Sequence, residues 1–550
     1  MMTINIRLAL VGACFVLLAA IMCGRLVYLH IVDREFLQDQ GDARSVRAET
    51  INAHRGMIRD FAGKPLAIST PVTSLWVNPK ELLAEPEKMP LAAALLDVPT
   101  ENFRQRISDN KSRTFVYLRR HMPPEVAEEI LSNDIPGIYG QREYQRYYPA
   151  GEVAAHIVGF TNVDDEGQEG IELAYNKWLR GEPGKKKVLK NLYGDVVRDI
   201  RPLIDATPGQ NLDLSIDLRL QYLAYRELKS AINFYGAVSG SLVIVDAYTG
   251  QILSLVNQPS YNPNNRVGLE LSSIRNRAVT DVFEPGSTVK PFTVAVALES
   301  GLYEPTSEID TSPGFIRVGD KTIPDPRNFG VLDLGGIVAH SSQVGTTKLA
   351  LSLDEYAVWS MFSAVGFGQP VGIGFPGESS GYLPNRRRWK DIERATFAYG
   401  YGFQVTPLQL AAAYQVIAAG GIKRDLSLVK TDAAKGHRVM SEETAEALKV
   451  MLHRVIDEGT GSRAYIEDYS VAGKTGTVRK VGESGYEDTR HMAFFAGMTP
   501  ADKPRLVGVV IINEPSGEEY GGGAIAAPVF SRVMQEALRL LNIPPLDEAA

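Results

Sequence analysis

The chain has 550 residues, a formal net charge of -7 and an apolar content of 44%. That length suits about two to four domains, the apolar share builds ordinary cores and excludes a largely disordered chain, and the acidic balance argues against nucleic acid as the principal partner. The two cysteines, Cys14 and Cys23, both lie inside one apolar run, so the rest of the chain has neither a disulfide framework nor a thiolate metal site, which is compatible with an oxidising compartment.

Leu8 to Gly24 is apolar apart from small residues and continues through Arg25-Leu26-Val27-Tyr28-Leu29-His30-Ile31-Val32. A bilayer core takes about 20 helical residues. A cleaved signal peptide would have a shorter apolar stretch followed by a small-x-small site, and Arg25-Leu26-Val27-Tyr28 offers none. The expectation is an uncleaved signal anchor over residues 1–32. Arg7 favours an inside N-terminus, and Arg25 at the other end weakens that preference. No later run is long and apolar enough to span.

Residues 33–225 alternate short strand-like and helix-like pieces. Arg55-Gly56-Met57-Ile58-Arg59-Asp60 leads through Ala62-Gly63 to Leu66-Ala67, which predicts two strands around a turn. His156 reads as a hydrogen-bonded structural residue, and no His/Asp/Glu cluster has metal-ligand spacing. This region is expected to be an elongated, mixed α/β, non-catalytic pedestal.

Residues 226–541 change character. Ser241 to Val245 is a buried strand, Asp246 to Gly250 a turn and Gln251 to Val256 the return strand. Helical stretches follow at Thr347 to Leu353, Leu408 to Ala419 and Glu442 to Ile456, with Pro407 suited to a first turn. Ala493 to Met498 and Arg505 to Asn513 read as strands and Ala527 to Leu541 as a closing helix; 542–550 is a tail. The fold class expected is multidomain α+β, with an antiparallel sheet packed between helices in this last domain.

The chemistry starts at Glu284-Pro285-Gly286-Ser287-Thr288-Val289-Lys290-Pro291. Pro285-Gly286 is a turn signal, and the apolar run from Phe292 to Leu298 reads as a helix. Ser287 then stands where a loop enters a helix. Lys290, three residues on, shares its face, so the amine can reach the hydroxyl. A serine needs a neighbouring base to become a nucleophile, and a lysine serves if burial or nearby positive charge lowers its pKa. The free N–H groups of the helix start suit a developing oxyanion. Alone, Ser-x-x-Lys is as readily a capped helix with a solvated lysine. Two further motifs accompany it: Ser341-Ser342-Gln343, about fifty residues on at the start of a helical stretch, and Lys474-Thr475-Gly476-Thr477 beside Val471-Ala472-Gly473. Glycines there permit close backbone approach of a substrate, Lys474 supplies a positive charge, and Thr475 and Thr477 supply hydroxyls and backbone donors along a strand edge. Each motif is weak by itself; the three in this order and spacing are strong.

On these residues the chain resembles the class B penicillin-binding proteins, and among them the septal, division-specific peptidoglycan D,D-transpeptidases. The resemblance runs over nearly the whole chain. It takes in Arg25-Leu26, Arg55-Gly56, the block from Arg142 to Glu172, Tyr399-Gly400-Tyr401-Gly402 with Val405 to Gln409, and Tyr520-Gly521-Gly522 with Ala527 to Phe530. A Glu-Asp-x-x-Phe-like glycosyltransferase motif of class A enzymes is missing between the anchor and Ser287, and the anchor and pedestal are extra relative to soluble β-lactamases.

The resemblance implies that Ser287 attacks the carbonyl of the penultimate D-Ala of a stem pentapeptide and expels the terminal D-Ala, with Lys290 the candidate base. Ser341 would relay a proton to the leaving amine, and the Ser287 and Thr477 N–H groups would form the oxyanion hole. Lys474, Thr475 and Thr477 would hold the terminal carboxylate of the donor or of a β-lactam; Gly476 belongs to the same motif, and Tyr401 and Tyr520 resemble cleft-wall positions. An amine of a neighbouring stem peptide would then take the acyl group. The family usually has Asn where this chain has Gln343; one methylene longer, its carboxamide can still bond the acyl-side amide, which implies retained activity with an altered β-lactam preference. Acyl transfer between peptides needs no metal or organic cofactor. The implied partners are an FtsW-like membrane glycosyltransferase and other divisome proteins, and the implied location is a bacterial inner membrane with the catalytic domain on the periplasmic side. Two other readings stay open: a β-lactam-binding scaffold or sensor that is acylated but does little chemistry, and the cell-elongation relative. A sensor would need a cytoplasmic output domain, and about seven residues precede the apolar run.

Overall fold

The run predicted to cross a membrane is helical over Met2–Val27 (α1) in the computed structural model, which describes residues 2–34, 46–190, 196–432, 435–482 and 485–545. The stretch Leu8–Val32 has a mean hydropathy of 2.3 over 25 residues, and its apolar side chains are exposed. At about 1.5 Å per residue it is long enough for a hydrocarbon core of about 30 Å. The chain divides into two compact units, Met1–Arg55 with Arg180–Gln210 and Gly56–Leu179 with Asn211–Ala550. In the first, the strands Val46–Ile51, Gly184–Lys190 and Val196–Ile204 form an antiparallel sheet in that order.

The second unit begins with the predicted pair of strands, Ile58–Arg59 and Pro65–Val77, antiparallel around the turn. Asp60 fixes that turn, its Oδ1 accepting from the N–H groups of Ala62 and Lys64. The second strand runs further than its sequence signal, because Val116–Met122 and Ile138–Tyr147 pair with it on either side. Beneath them Leu75, Val77, Leu82, Phe103, Ile107 and Ala127 form a core of their own. Arg146 and Glu172, which lie in the block singled out by sequence, form a buried ion pair at 2.6 Å. His156 is buried with Nε2 against the carbonyl of Ser273 at 2.8 Å, a structural role as expected, and burial holds its pKa down near 4.

The largest sheet is antiparallel throughout. Ser239–Asp246 (β1) and Ile252–Gln258 (β2) form the predicted hairpin; Ala472–Gly482 (β3), Gly485–Thr499 (β4) and Leu506–Asn513 (β5) complete it in the order β2-β1-β5-β4-β3. Side chains alternate between the two faces of a strand, and here both faces are covered. Leu242, Ile244, Phe495 and Val510 pack with Leu220 and Leu228 of helix α2 (Leu218–Phe234) and Phe530 of the closing helix (Gly522–Leu540). Val243, Val245, Phe494 and Val509 face the other core, which contains Phe292, Leu408 and Tyr414. That is why the sequence shows β1 as an unbroken apolar run instead of an alternating one.

Five further helices carry the site: Lys290–Glu299 (α3), Leu334–Ala339 (α4), Gln343–Ser352 (α5), Pro407–Ala418 (α6) and Glu442–Asp457 (α7); the closing helix is α8. α6 is buried on every side, as expected of a helix that is apolar all round. Thr406 and Gln409 close a capping box at its start, with Pro407 in the first turn as the sequence predicts.

Candidate functional site

Ser287 lies in a 3₁₀ turn, Gly286–Val289, that runs directly into α3. Residues three apart eclipse in a 3₁₀ turn, so Ser287 and Lys290 share a side, as the spacing requires. The turn is held from behind. Tyr414 of α6 donates its O–H to the Thr288 carbonyl at 2.8 Å, Thr288 Oγ1 donates to the Pro285 carbonyl at 2.6 Å, and the Gly286 N–H donates to the Gly400 carbonyl at 3.0 Å. Gly400 has φ +96°, and a Cβ on it would stand 2.1 Å from the Gly286 carbonyl oxygen. Only glycine meets both demands.

Lys290 is fully buried, and its Nζ donates to the carbonyl of Ser341 at 2.5 Å and to Ser341 Oγ at 3.1 Å. Ser341 joins α4 to α5 with φ +60°, rare for a residue with a side chain. Such conformations cost about 1–3 kcal/mol and persist where surroundings impose them. Here the constraint comes from the lysine and from Asp325. The Asp325 carboxylate accepts from Ser342 Oγ and the Gln343 N–H, each at 2.5 Å, and from the Val344 N–H at 3.2 Å. An anion at the start of α5 satisfies donors that the helix leaves free. Ser342 Oγ in turn accepts from the Gly345 N–H at 2.9 Å, so Ser342 caps the helix and its neighbours Ser341 and Gln343 stay half-exposed.

Lys474 is also fully buried, on β3, the outermost strand of its sheet. Its Nζ makes long contacts to the Thr475 carbonyl (3.3 Å), Thr475 Oγ1 (3.4 Å) and Thr460 Oγ1 (3.5 Å). Burial depresses its pKa to about 7. Burial, then the charge of Lys474, push Lys290 well below its ordinary range, and Asp325 opposes that only in part. Lys290 thus lies in the field of Lys474. Gly476 lies opposite Phe494 in the β3–β4 register, and a Cβ on it would come within 1.9 Å of that ring. The space over this face of Gly476 is therefore given to Phe494, while the strand's outer edge stays open.

Tyr401, Thr477 and Tyr520 line one cleft of about 370 Å³ together with Val478, Arg479, Tyr486 and His491. The turn of Ser287 packs on it at Val478, whose Cγ1 is 2.7 Å from where a Gly286 Cβ would be. Tyr520 stacks on His491 at 4.1 Å, and Tyr401 meets Tyr486 edge-on at 6.0 Å. Glu284 ties the second pair to the Ser287 turn: its Oε1 accepts from the Gly402 N–H at 2.8 Å and its Oε2 from the Tyr486 O–H at 2.9 Å.

All ten sequence-predicted residues thus fall on the Ser287 turn, the α4–α5 corner, β3 or the cleft wall. Sequence reasoning missed Asp325, Thr460, Tyr486 and His491, and gave Glu284 no role. Pro324-Asp325-Pro326 does carry a turn signal, but nothing in it points sixteen residues on to Ser341.

The family model for the penicillin binding protein transpeptidase domain matches residues 240–535, and that for the penicillin-binding protein dimerisation domain matches 50–214. The chain is 43% identical over 549 residues to peptidoglycan D,D-transpeptidase FtsI of Escherichia coli (strain K12), covering 98% of this chain and 93% of the relative. It is 41% identical over 543 residues to the probable peptidoglycan D,D-transpeptidase PbpC of Pseudomonas aeruginosa, covering 98% and 96%. Among solved structures, penicillin binding protein 3 of Mycobacterium tuberculosis complexed with aztreonam superposes with a TM-score of 0.71 at 26% identity, over 90% of this chain and 98% of that one. The transpeptidase domain of Burkholderia pseudomallei penicillin-binding protein 3 does so at 0.57 and 38% identity, over 60% and 97%.

Proposed function

The chain belongs to the penicillin-binding protein transpeptidases, and from that membership we propose a serine acyl-enzyme mechanism in which it cross-links peptidoglycan stem peptides at the division septum. The observation that carries the mechanism is the buried Lys290 amine bonded to Ser341, in the field of the buried Lys474. A neutral amine has two N–H groups and one lone pair. Lys290 spends its N–H groups on the carbonyl and hydroxyl of Ser341, which leaves the lone pair for the proton of Ser287, one turn back. The deprotonated Ser287 Oγ attacks the penultimate D-Ala carbonyl. The oxyanion takes the N–H groups of Ser287 and Thr477, one at a turn entering α3 and one on the open edge of β3. Ser341 Oγ, accepting from Lys290, gives its own proton to the departing D-Ala amine and recovers one through Lys290. An amine from a second stem peptide reverses these steps and closes the cross-link. A stem peptide laid along β3 adds a strand to the sheet, its carboxylate held by Lys474, Thr475 and Thr477 and its flank by Tyr401 and Tyr520.

The proposal extends to the rest of the chain. Residues 1–32 anchor the chain in the inner membrane, 33–225 form the pedestal, and 226–541 carry the chemistry on the periplasmic side, ahead of a tail at 542–550. β-Lactams acylate the same serine. An FtsW-like glycosyltransferase and other divisome proteins are its partners.

Incubation with a fluorescent penicillin tests the assignment. A covalent band that persists for hours supports a transpeptidase, a band lost within seconds to minutes a β-lactamase, and a folded protein that takes no label overturns the proposal. Gln343, half-exposed at the start of α5, sets β-lactam preference in this reading. Gln343→Asn is expected to change the ratio of acylation rates among a penicillin, a cephalosporin and a monobactam by about three- to tenfold, the scale of one altered hydrogen bond. An unchanged ratio would remove Gln343 from the specificity determinants.

A further inference from the structure

Thr460 follows the end of α7 in the segment Glu458-Gly459-Thr460-Gly461 and belongs to none of the three motifs. Its Oγ1 lies 2.6 Å from Thr475 Oγ1, and Lys474 Nζ reaches both oxygens, at 3.5 and 3.4 Å. The Thr460 side is open to solvent, whereas Lys474 and Thr475 are buried. Two hydroxyls in contact hold two protons, and one of these fills the gap between the oxygens. With the lysine donating from behind, the other proton must point away from the pair.

Thr477 has a matching arrangement. Its Oγ1 accepts from the N–H of Gly522, the first residue of α8, at 2.9 Å, which leaves its own O–H to point elsewhere. A Cβ on Gly522 would meet the carbonyl oxygens of Phe494 and Gly476 at 2.3 and 2.4 Å, so the start of α8 is pressed against β3 and β4 there. Thr477 Oγ1 thus accepts from outside the Lys474–Thr477 segment, and Thr475 Oγ1 has a hydroxyl partner outside it in Thr460.

We propose that Thr460 is a positioning residue for carboxylate recognition, ordering the chain Lys474 N–H to Thr460 Oγ1, Thr460 O–H to Thr475 Oγ1, and Thr475 O–H to the carboxylate of the donor peptide or β-lactam. Gly522 gives Thr477 the same polarity, so the carboxylate meets two hydroxyls already set as donors. Hydrogen bonds in such a chain polarise one another, and a hydroxyl set in advance needs no reorientation when the anion arrives. The inference rests on the proposed role of Lys474, Thr475 and Thr477.

The test compares the wild type with Thr460→Val, which keeps the shape and loses the hydroxyl, and with Thr460→Ser, which restores it. Each is acylated with benzylpenicillin and with its methyl ester, whose carboxylate is masked, at concentrations that acylate the wild type within the assay. Thr460→Val is expected to slow acylation by benzylpenicillin about tenfold, the scale of one charge-assisted hydrogen bond, and to leave the ester rate unchanged, with Thr460→Ser near wild type for both. A parallel fall with both compounds, or no fall with benzylpenicillin, overturns the inference. A wild type that benzylpenicillin does not acylate overturns the serine mechanism itself, which keeps the two failures apart.

Discussion

Ser287→Ala is expected to abolish covalent labelling by a fluorescent penicillin while leaving the melting temperature within a few degrees of the wild type. Alanine has no oxygen to acylate, so the loss is total, with no residual slow phase. The fold should tolerate the change because the turn is held by other groups: the Tyr414 hydroxyl on the Thr288 carbonyl, the Thr288 side chain on the Pro285 carbonyl, and the backbone pair Gly286–Gly400. Ser287 is half-exposed, and deleting a partly solvated hydroxyl costs little. A labelled band in the alanine variant would assign acylation to another residue.

Lys290→Met is expected to slow acylation by about two to four orders of magnitude, the usual worth of a positioned proton-transfer group, and at the same time to raise stability at neutral pH. The two effects have one cause. Lys290 is fully buried beside Lys474, and both burial and that neighbour push its pKa well below its ordinary value of 10.5. The folded chain therefore holds this proton less tightly than the unfolded chain does. Stability due to this group therefore rises as pH climbs from its folded pKa toward 10.5, and is least on the acid side. Methionine fills similar volume with no charge to bury, which removes the cost. Thermal melts of wild type and variant at pH 6.5 and pH 9.5 check the sign: the variant's advantage should shrink at the higher pH. A variant that melts lower at both would mean that the lost bonds to Ser341 outweigh the relieved burial.

What the sequence revealed of this site, and what it hid, divides along chain distance. Ser287 and Lys290 are three residues apart, and the 3₁₀ turn between them follows from Pro285-Gly286 and the apolar run behind. Pro407 at the head of α6 and the hairpin of β1 and β2 were legible for the same reason. The Lys290 amine, however, donates to Ser341, fifty-one residues on, and only the packing of α3 against the α4–α5 corner brings that about. Asp325 and Thr460 were invisible because their roles consist entirely of contacts with residues far along the chain. The glycines of the third motif were legible as close approaches, but sequence pointed to a substrate, while cross-strand register gives the space over Gly476 to the Phe494 ring. The β3–β4 ladder also runs further than the apolar stretch of Ala493 to Met498, since its outer end, from Gly485 to about His491, is polar and half-exposed.

The pairing of Gly286 with Gly400 has a consequence for how this cleft can evolve. The backbone that presents Ser287 and the backbone that presents Tyr401 meet through a hydrogen bond with no room for a methyl group at the junction, and Gly476 is as tightly closed by Phe494. The floor of the cleft is in effect a single casting, and altering one part displaces the others. Room for heritable variation remains at the rim, where Tyr486 is half-exposed and Arg479 reaches across the hairpin to Asp488. Variants selected under a new antibiotic should accumulate at the rim first, leaving the floor as it is.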